Sequence, residues 1–314
     1  MEICMRIAVI DIGSNTIKMT VYDYGREKLL QIMNTTKHIG LISYIEGGIL
    51  SDKGIRVLAD TVSDLALEAG RHSCFYVFPF ATASLRRASN FEQVISAVKE
   101  QTGYTIDLIS GDEEAKFSFQ GIITEMGDTL DENGIAFDMG GGSTEIIRFE
   151  NKKPTAFISL DIGVLALYND FVNRLLPTEK ECAKITKYTD RLFNKVPFIG
   201  SEPHSVHIYM IGGTGKAIAR LHCALSGRPF VLPCTLDISE LHELLHKLIC
   251  EGEHKTKVSA LSEIPSRVHT VCPGLCAVLS LMRACSAQKL TVTGAAVREG
   301  YALHIASLNG IAND

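Results

Sequence analysis

Two carboxylates, Asp138 and Glu145, bracket a run of three glycines in the segment DMGGGSTE. Glycines let neighbouring backbone N–H groups turn toward one point without a Cβ in the way. Convergent N–H groups form a nest for anions, and phosphate is its usual occupant. Because carboxylates do not bind phosphate directly, this pair predicts a hard divalent cation, most often Mg²⁺, beside the nest. The alternative is a tight hairpin in which the glycines serve only the turn.

A second segment near the N-terminus has the same order of residue types. Residues 7–17 run from an apolar strand through Asp11 and the loop residues Gly13, Ser14 and Asn15 into another apolar strand. The two segments lie too far apart for a short solenoid repeat. The simplest interpretation is a duplicated domain with one phosphate-facing hairpin in each half. Two such hairpins facing each other across a cleft would hold a phosphate chain from both sides.

The elements that must position these residues follow an α/β pattern of short apolar runs and longer amphipathic segments. An arginine, Arg86, falls in the first turn of a helix predicted after the strand 75–80, and the segment 212–215, GGTG, opens another helix. Predicted strands cover 7–10, 17–24, 29–39, 75–80, 104–109, 134–138, 144–149, 155–160, 207–211 and 290–293. Predicted helices cover 51–69, 110–126, 164–175, 178–194, most of 237–286 and a last segment ending near 307.

The bulk composition narrows the class of protein. A chain of 314 residues exceeds one ordinary core, so we expect two domains. No apolar run reaches membrane-spanning length and the N-terminus lacks a signal-peptide pattern, so we expect a cytoplasmic protein without a membrane partner. Nine scattered cysteines indicate reduced thiols. The net charge of −5 argues against nucleic-acid binding, and any polyanion site must be locally basic.

Several motifs together resemble one known family. The segments DIGSNT, beginning at Asp11, and DMGGGSTE, beginning at Asp138, resemble the two phosphate loops of the exopolyphosphatase/guanosine pentaphosphate phosphohydrolase (Ppx/GppA) family, part of the actin–sugar kinase–Hsp70 (ASKHA) superfamily. Further motifs follow in family order over nearly the whole chain; they begin at Ala83, Ile109, Gly212, Val271 and Val297.

The resemblance implies an α/β fold of two duplicated actin-like (ASKHA, ribonuclease H-like) domains with an interdomain cleft. Residues 1–124 would form the first domain, with the C-terminal helix 297–314 packed on it, and residues 125–296 the second. Many family members carry a further helical domain, which this chain does not reach. Ala295 departs from the family's usual glycine, which puts contacts at that turn in doubt.

The resemblance also implies an activity, which is hydrolysis of a terminal phosphoanhydride. The substrate would be inorganic polyphosphate or guanosine pentaphosphate, the cofactor Mg²⁺ or Mn²⁺, and a homodimer is left open. Glu114 would be the catalytic base, although its place in a helix first turn, next to Glu113, also suits simple helix stabilisation. Arg86 would contact phosphate, although a solvated arginine is the common case.

The remaining site residues that the resemblance implies fall into three groups. Phosphate-binding groups are Gly13, Ser14, Asn15, Gly140, Gly141, Gly142 and Ser143. The metal ligands are Asp138, Glu145 and, more weakly, Asp11. A nucleotide contact is expected at Gly212, Gly213, Thr214 and Gly215; this turn is not a Walker P-loop, because Ala217 follows Lys216.

Two other functions compete with this hypothesis. The segment HELLH, from His242 to His246, matches the zinc-protease pattern H-E-x-x-H, with Glu263 as a third ligand. However, the leucines around it are typical of an ordinary amphipathic helix. The superfamily fold also serves ATP-binding kinases and nucleotide sensors, so fold alone does not decide.

Overall fold

The computed structural model describes residues 5–25, 28–86, 88–200, 206–249 and 254–308, so Arg87 and the predicted end of the last helix, 309–314, lie outside the described residues. The chain divides into two compact units, Met1–Gln120 with Val297–Asp314, and Gly121–Ala296. No single described helix has the length and apolar character to cross a bilayer. One bent pair, His254–Glu263 with Pro265–Ala284, passes by length and composition alone, and most of its second helix is buried in the core.

Among the described residues of the first unit there are seven strands, and five of them form one mixed sheet in the order β3-β2-β1-β6-β7. The first three strands are antiparallel neighbours, while β6 runs parallel to β1 and β7 parallel to β6. The remaining two form a small hairpin. The strands are β1 (Met5–Ile12), β2 (Thr16–Gly25), β3 (Lys28–His38), β4 (Ile45–Glu46), β5 (Ile49–Leu50), β6 (Tyr76–Ala81) and β7 (Asp107–Leu108).

Strand β1 is buried on both faces because its side chains alternate between two clusters. Ala8 and Ile10 lie in one apolar cluster, and Ile7 and Val9 lie in another that includes Tyr301. A strand covered on both sides explains why the sequence reads as a continuous apolar run.

The α-helices described in the first unit, apart from the last described helix of the chain, are α1 (Asp52–Arg71), α2 (Ala83–Arg86), α3 (Phe91–Thr102) and α4 (Gly111–Met126), whose last turn and a half belongs to the second unit. Ser51, where the sequence predicts this helix to begin, caps α1, since its hydroxyl accepts a hydrogen bond from the N–H of Gly54. The described helix that carries Arg86 is a single turn, and Arg87, the next residue, lies outside the described residues. One prediction is wrong in extent. The strand 104–109 shrinks to β7, which pairs with β6 at two positions.

The described part of the second unit has six strands in the order β10-β9-β8-β11-β13-β12. Three antiparallel strands are again followed by parallel neighbours, so the two sheets share one topology, as a duplicated domain predicts. The sequence did not predict β12, which pairs antiparallel with β13 at the sheet edge. The strands are β8 (Gly134–Met139), β9 (Thr144–Glu150), β10 (Lys153–Leu160), β11 (Ile208–Ile211), β12 (Cys234–Asp237) and β13 (Lys289–Val292).

The helices of the second unit pack around α10, nearly all of whose residues are buried. The helices that lie wholly in the described part of this unit are α5 (Val164–Phe171), α6 (Glu179–Phe193), α7 (Gly212–Leu225), α8 (Ile238–Ile249), α9 (His254–Glu263) and α10 (Val268–Ala284). The last helix, α11 (Val297–Leu308), belongs to the first unit. There the Tyr301 ring packs on the Phe80 ring at a tilt of 33°, with centroids 4.3 Å apart, so α11 covers one face of the first sheet.

Candidate functional site

The glycine loop of the second unit is braced by the start of α5. The N–H groups of Val164 and Leu165 donate to the carbonyl oxygens of Gly140 and Gly141, at 3.0 and 3.1 Å. In a trans peptide the N–H points opposite to the C=O. Fixing the Gly140 carbonyl on α5 therefore turns the N–H of Gly141 away from α5, as an anion nest requires.

Gly163 makes this close approach possible. A Cβ on Gly163 would lie 2.3 Å from the carbonyl carbon of Gly141, a distance that real contacts do not reach. The loop glycines 140–142 themselves have no φ in the left-handed region. Their small size, rather than an unusual backbone angle, is what the loop uses.

The first unit braces its own loop in the same manner. The Ser14 carbonyl accepts from the N–H of Ile42, and the Asn15 carbonyl accepts from the N–H groups of Ile39 and Gly40. Among the described residues, the backbone N–H groups of Ser14, Asn15, Gly141 and Ser143 donate to no protein acceptor. Unused backbone donors are the groups that bind phosphate. The repeated motif of the sequence is therefore a repeated geometry.

The two carboxylates of the second loop face each other across the hairpin. Asp138 of β8 pairs directly with Glu145 of β9, and directly opposed residues in an antiparallel pair have their side chains on one face. Glu145 is only 2% exposed, and its Oε1 accepts a 2.8 Å hydrogen bond from Ser159. Mg²⁺ is commonly held by one or two carboxylates together with waters and substrate phosphates. The arrangement therefore fits the predicted ion.

The predicted nucleotide turn, residues 212–215, lies against Asp138. Gly212 has φ +84°, a left-handed conformation that favours glycine, and a Cβ there would lie 2.5 Å from the Asp138 Oδ1. Two members of this turn are packing residues: Thr214 is buried and donates to the Met139 carbonyl at 2.7 Å, and Gly215 contacts Met210. Gly212 and Gly213 are the half-buried part that a ligand could approach.

An arginine that the sequence did not single out completes this cluster. The guanidinium of Arg267 lies over Gly213, whose Cβ would be 2.6 Å from the arginine Nη2. Burial lowers the pKa of Arg267, while the nearby Asp138 carboxylate opposes that change. Nothing in its local sequence signals this position, because Arg267 precedes α10 and is separated from Asp138 by most of the second unit.

The first unit distinguishes the two neighbouring acids at the start of α4. Glu113 caps the helix: its Oε2 accepts from both the N–H and the hydroxyl of Ser110 at 2.8 Å, and the backbone hydrogen bond is the main cause of its lowered pKa. Glu114 is only 8% exposed, and its Oε2 accepts a 2.8 Å hydrogen bond from the Nη1 of Arg86. The same Arg86 nitrogen donates to the Ile109 carbonyl.

Asp11 is held by another arginine of the first unit. Its Oδ2 accepts from the Nη1 of Arg298 at 3.1 Å, while the Arg298 Nε donates to the Thr20 hydroxyl. Burial lowers the pKa of Arg298, but the acids around it, Asp11 first, raise that pKa by more. The metal role of Asp11 stays a prediction, and one of its oxygens is committed to an arginine. Arg298 belongs to the motif that begins at Val297, but the sequence of that motif does not indicate that Arg298 pairs with Asp11.

The zinc-protease pattern does not become a metal site in the described residues. No group of three or more His, Cys, Asp or Glu side chains among them is placed to hold a metal ion. His242 and His246 are exposed on α8, and the Glu243 carboxylate pairs with Lys247 at 2.6 Å. The segment is the amphipathic helix that its leucines favour, with Leu241, Leu244 and Leu248 buried in the core.

Solved structures with this fold are known. The chain aligns with a Ppx/GppA family member of Aquifex aeolicus over 98% of its length and 99% of that chain, with a TM-score of 0.81 and 22% identity. It aligns with an exopolyphosphatase of Cytophaga hutchinsonii over 98% of both chains, with a TM-score of 0.84 and 22% identity. Identity at this level shows the fold alone. It confirms the predicted α/β, actin-like fold class.

Curated relatives are similar over part of their length. The chain is 27% identical to exopolyphosphatase 1 of Mycobacterium tuberculosis over 188 residues, which are 59% of this chain and 54% of the relative. It is 24% identical over 307 residues, 93% of the chain, to a guanosine-5'-triphosphate,3'-diphosphate pyrophosphatase of Aeromonas salmonicida, covering 58% of that protein. The chain thus spans a little over half the length of these relatives.

The sequence model of one family matches most of the chain, from residue 21 to residue 308. That span contains the second glycine loop, the Arg86–Glu114 pair and the half-buried Arg267 and Arg298 described above. The protein therefore belongs to the Ppx/GppA phosphatase family.

Proposed function

We propose that the protein hydrolyses the terminal phosphoanhydride of a polyphosphorylated substrate and releases orthophosphate. The observation that carries this proposal is the braced loop at 140–143, whose Gly141 and Ser143 N–H groups donate to no acceptor among the described residues. This donor set lies next to the opposed carboxylates Asp138 and Glu145. A phosphate nest beside two metal-binding carboxylates suits phosphoryl transfer, where catalysis consists of positioning and charge stabilisation.

In this proposal the loop at 140–143 binds a phosphate group of the substrate. The backbone N–H groups of the loop bind its oxygens, and Asp138 and Glu145 would hold Mg²⁺. The ion would offset the negative charge that develops on the phosphoryl oxygens. Ser159 fixes the orientation of Glu145 through their hydrogen bond. Arg267, over the Gly212–Gly213 turn, adds a positive group that a polyanion would contact.

Glu114 of the first unit would orient the attacking water or accept its proton. The ion pair with Arg86 favours the ionised carboxylate, which is the form that a base requires. The pair also limits the rotamers of Glu114, because Arg86 is itself anchored on the Ile109 carbonyl. When phosphate binds, Arg86 would contact it as well, so Arg86 serves both the acid and the anion.

The substrate class follows from these donors and from the relatives. One relative is named an exopolyphosphatase and another a guanosine pentaphosphate pyrophosphatase, and both names imply a phosphoanhydride bond. We propose inorganic polyphosphate as the first substrate and guanosine pentaphosphate as the second, with a cytoplasmic location. With a net charge of −5, attraction to either must come from local groups such as Arg86, Arg267 and the nests.

The test compares phosphate release from polyphosphate and from guanosine pentaphosphate, side by side, with Mg²⁺ and with EDTA. Release from at least one substrate, lost in EDTA, is expected. Release from neither substrate, with either Mg²⁺ or Mn²⁺ present, refutes the proposal. An Arg86→Ala variant, together with Arg71→Ala as a surface control, checks that the activity belongs to this protein and not to a contaminant.

A further inference from the structure

Two cysteines of the second unit that have no part in the site described above touch each other. The Sγ of Cys223, in the last turns of α7, lies 3.8 Å from the Sγ of Cys234, the first residue of β12. No disulfide joins the seven cysteines of the described residues. The two thiols therefore meet in reduced form across a chain segment of ten residues.

The surroundings make one of these sulfurs reachable. Cys223 is buried at 3% exposure, whereas Cys234 is half-buried. Cys234 begins the edge strand β12, which pairs on one side only, with β13. A disulfide needs the sulfurs about 2.05 Å apart, so the two would approach by roughly 1.8 Å. The end of an edge strand is the part of a sheet that can shift most easily.

We propose that Cys223 and Cys234 are a modification site, which a low-molecular-weight disulfide converts to an intramolecular disulfide. The Cys234 thiolate attacks one sulfur of the reagent disulfide and releases one reagent thiolate. Cys223 then attacks the Cys234 sulfur of the mixed disulfide and releases the second. The protein loses two electrons and two protons, and the reagent disulfide becomes two thiols.

The same environment makes this reaction slow near neutral pH. Burial, followed by the neighbouring Cys223, raises the pKa of Cys234 to about 11, and the other charged groups facing it are Arg228 and Glu240. Because the thiolate is the attacking species, its concentration rises about tenfold per pH unit below that pKa. The pair is therefore a slow exchanging site whose rate increases steadily from pH 7 to pH 9.

A second thiol pair provides an internal comparison. Cys182 of α6 and Cys276 of α10 also interact, and their hydrogen bond is the main cause of the raised pKa of Cys182. Both are buried in the apolar core of the unit. A reagent in solution reaches Cys234 but not these two while the protein stays folded.

The experiment uses the whole protein, incubated with oxidised glutathione at pH 8.5, alkylated and digested with trypsin. Trypsin does not cleave after Arg228 because Pro229 follows, so both cysteines lie in the single peptide 221–247. The disulfide is expected as that peptide, unalkylated, with a mass lower by two hydrogen atoms. Circular dichroism before digestion confirms that the protein is folded.

Variants decide whether the pair is responsible. Cys234→Ser should abolish the oxidised peptide and leave Cys223 alkylated, whereas Cys74→Ser, a half-buried thiol of the first unit, should leave the reaction unchanged. If Cys234→Ser is unfolded, Cys234→Ala takes its place. Full alkylation of both cysteines after the incubation overturns the proposal, and so does preferential linkage of Cys223 or Cys234 to another cysteine. None of these results depends on phosphatase activity.

Discussion

Replacing Glu114 by Gln tests the proposed base, because it keeps the shape of the side chain and removes its charge. The amide oxygen can still accept the hydrogen bond that Arg86 now donates to Glu114 Oε2 at 2.8 Å. A base or water-orienting group typically contributes about 10²–10⁴ to the rate. At about 1.36 kcal/mol per tenfold change, turnover should fall by the equivalent of roughly 3–5 kcal/mol in activation free energy.

Stability should change much less than turnover. The Arg86–Glu114 pair is mostly buried, with side-chain exposures of 22% and 10%, and the variant keeps a hydrogen bond while losing its charge. Hydrogen bonds to charged groups contribute about 1.5–3 kcal/mol, against about 1 kcal/mol for neutral ones. We therefore expect a loss of about 1–2 kcal/mol in the free energy of unfolding, which urea titration measures.

The matched control is Glu113→Gln, which changes the neighbouring acid. Glu113 holds the helix cap through Ser110, so its loss should reduce stability by about 1 kcal/mol and change turnover by no more than a few-fold. The assay is single-turnover phosphate release, together with polyphosphate affinity for both variants. Glu114→Gln should bind polyphosphate as well as or better than wild type, because a negative charge has left Arg86. Near-normal turnover of Glu114→Gln, or a loss confined to Glu113→Gln, would refute this reasoning.

Three other changes test the second unit. Gly163→Ala places a Cβ 2.3 Å from the Gly141 carbonyl carbon, so the rate of phosphate release should fall by about tenfold or more. The control Gly70→Ala adds a Cβ with nothing within 4 Å and should leave the rate unchanged. Equal rates for the two variants would show that the loop is not part of the site. Asp138→Asn should raise the Mg²⁺ concentration needed for half-maximal activity without bringing zinc into the protein, and metal analysis showing a zinc ion that His246→Ala removes would contradict this. Hydrogen bonds from Thr178 and Asn173 lower the pKa of Glu181 in the folded protein to about 2. The ionised carboxylate therefore stabilises the folded state at pH values above 4.5, the pKa of Glu181 in the unfolded chain. That contribution is lost as the pH falls toward 2. Urea titrations at pH 6 and pH 3 should therefore show a smaller pH effect for Glu181→Gln than for wild type or for the exposed control Glu179→Gln, and equal pH effects would exclude the cap as the source.

Local patterns predicted most of the strands and helices, because each carries its own apolar period and its own start or stop signals. Strand β12 was not predicted because it consists of only four residues, directly after Pro233, which is too few to show an alternation of apolar and polar side chains. Its pairing partner, β13, lies more than fifty residues away in the sequence. The two glycine loops were predictable from their residue types, but the bracing contacts of Val164 and Ile42 were not.

The side-chain partners of the site depend on contacts between distant parts of the chain. Asp11 pairs with Arg298, and the charge of Asp138 acts on Arg267, over separations that no short motif records. Coordinates were also needed to see that Glu113 caps α4 while Glu114 pairs with Arg86, since both lie in the first turn and the sequence allowed either to serve as a cap. Residue type thus indicated which groups can react, while long-range packing decided which of them are already paired.

The two loops are braced by supports of different stiffness. In the second unit the bracing N–H groups belong to the first turn of α5, a helix whose own backbone hydrogen bonds limit its fluctuations. In the first unit they come from residues 39–42, an irregular stretch leading into a single short 3₁₀ turn. Ordering a loop lowers its conformational entropy when a ligand binds, and a preorganised loop loses less. The second loop should therefore bind phosphate with the smaller entropic penalty, and the first should become measurably more rigid on binding.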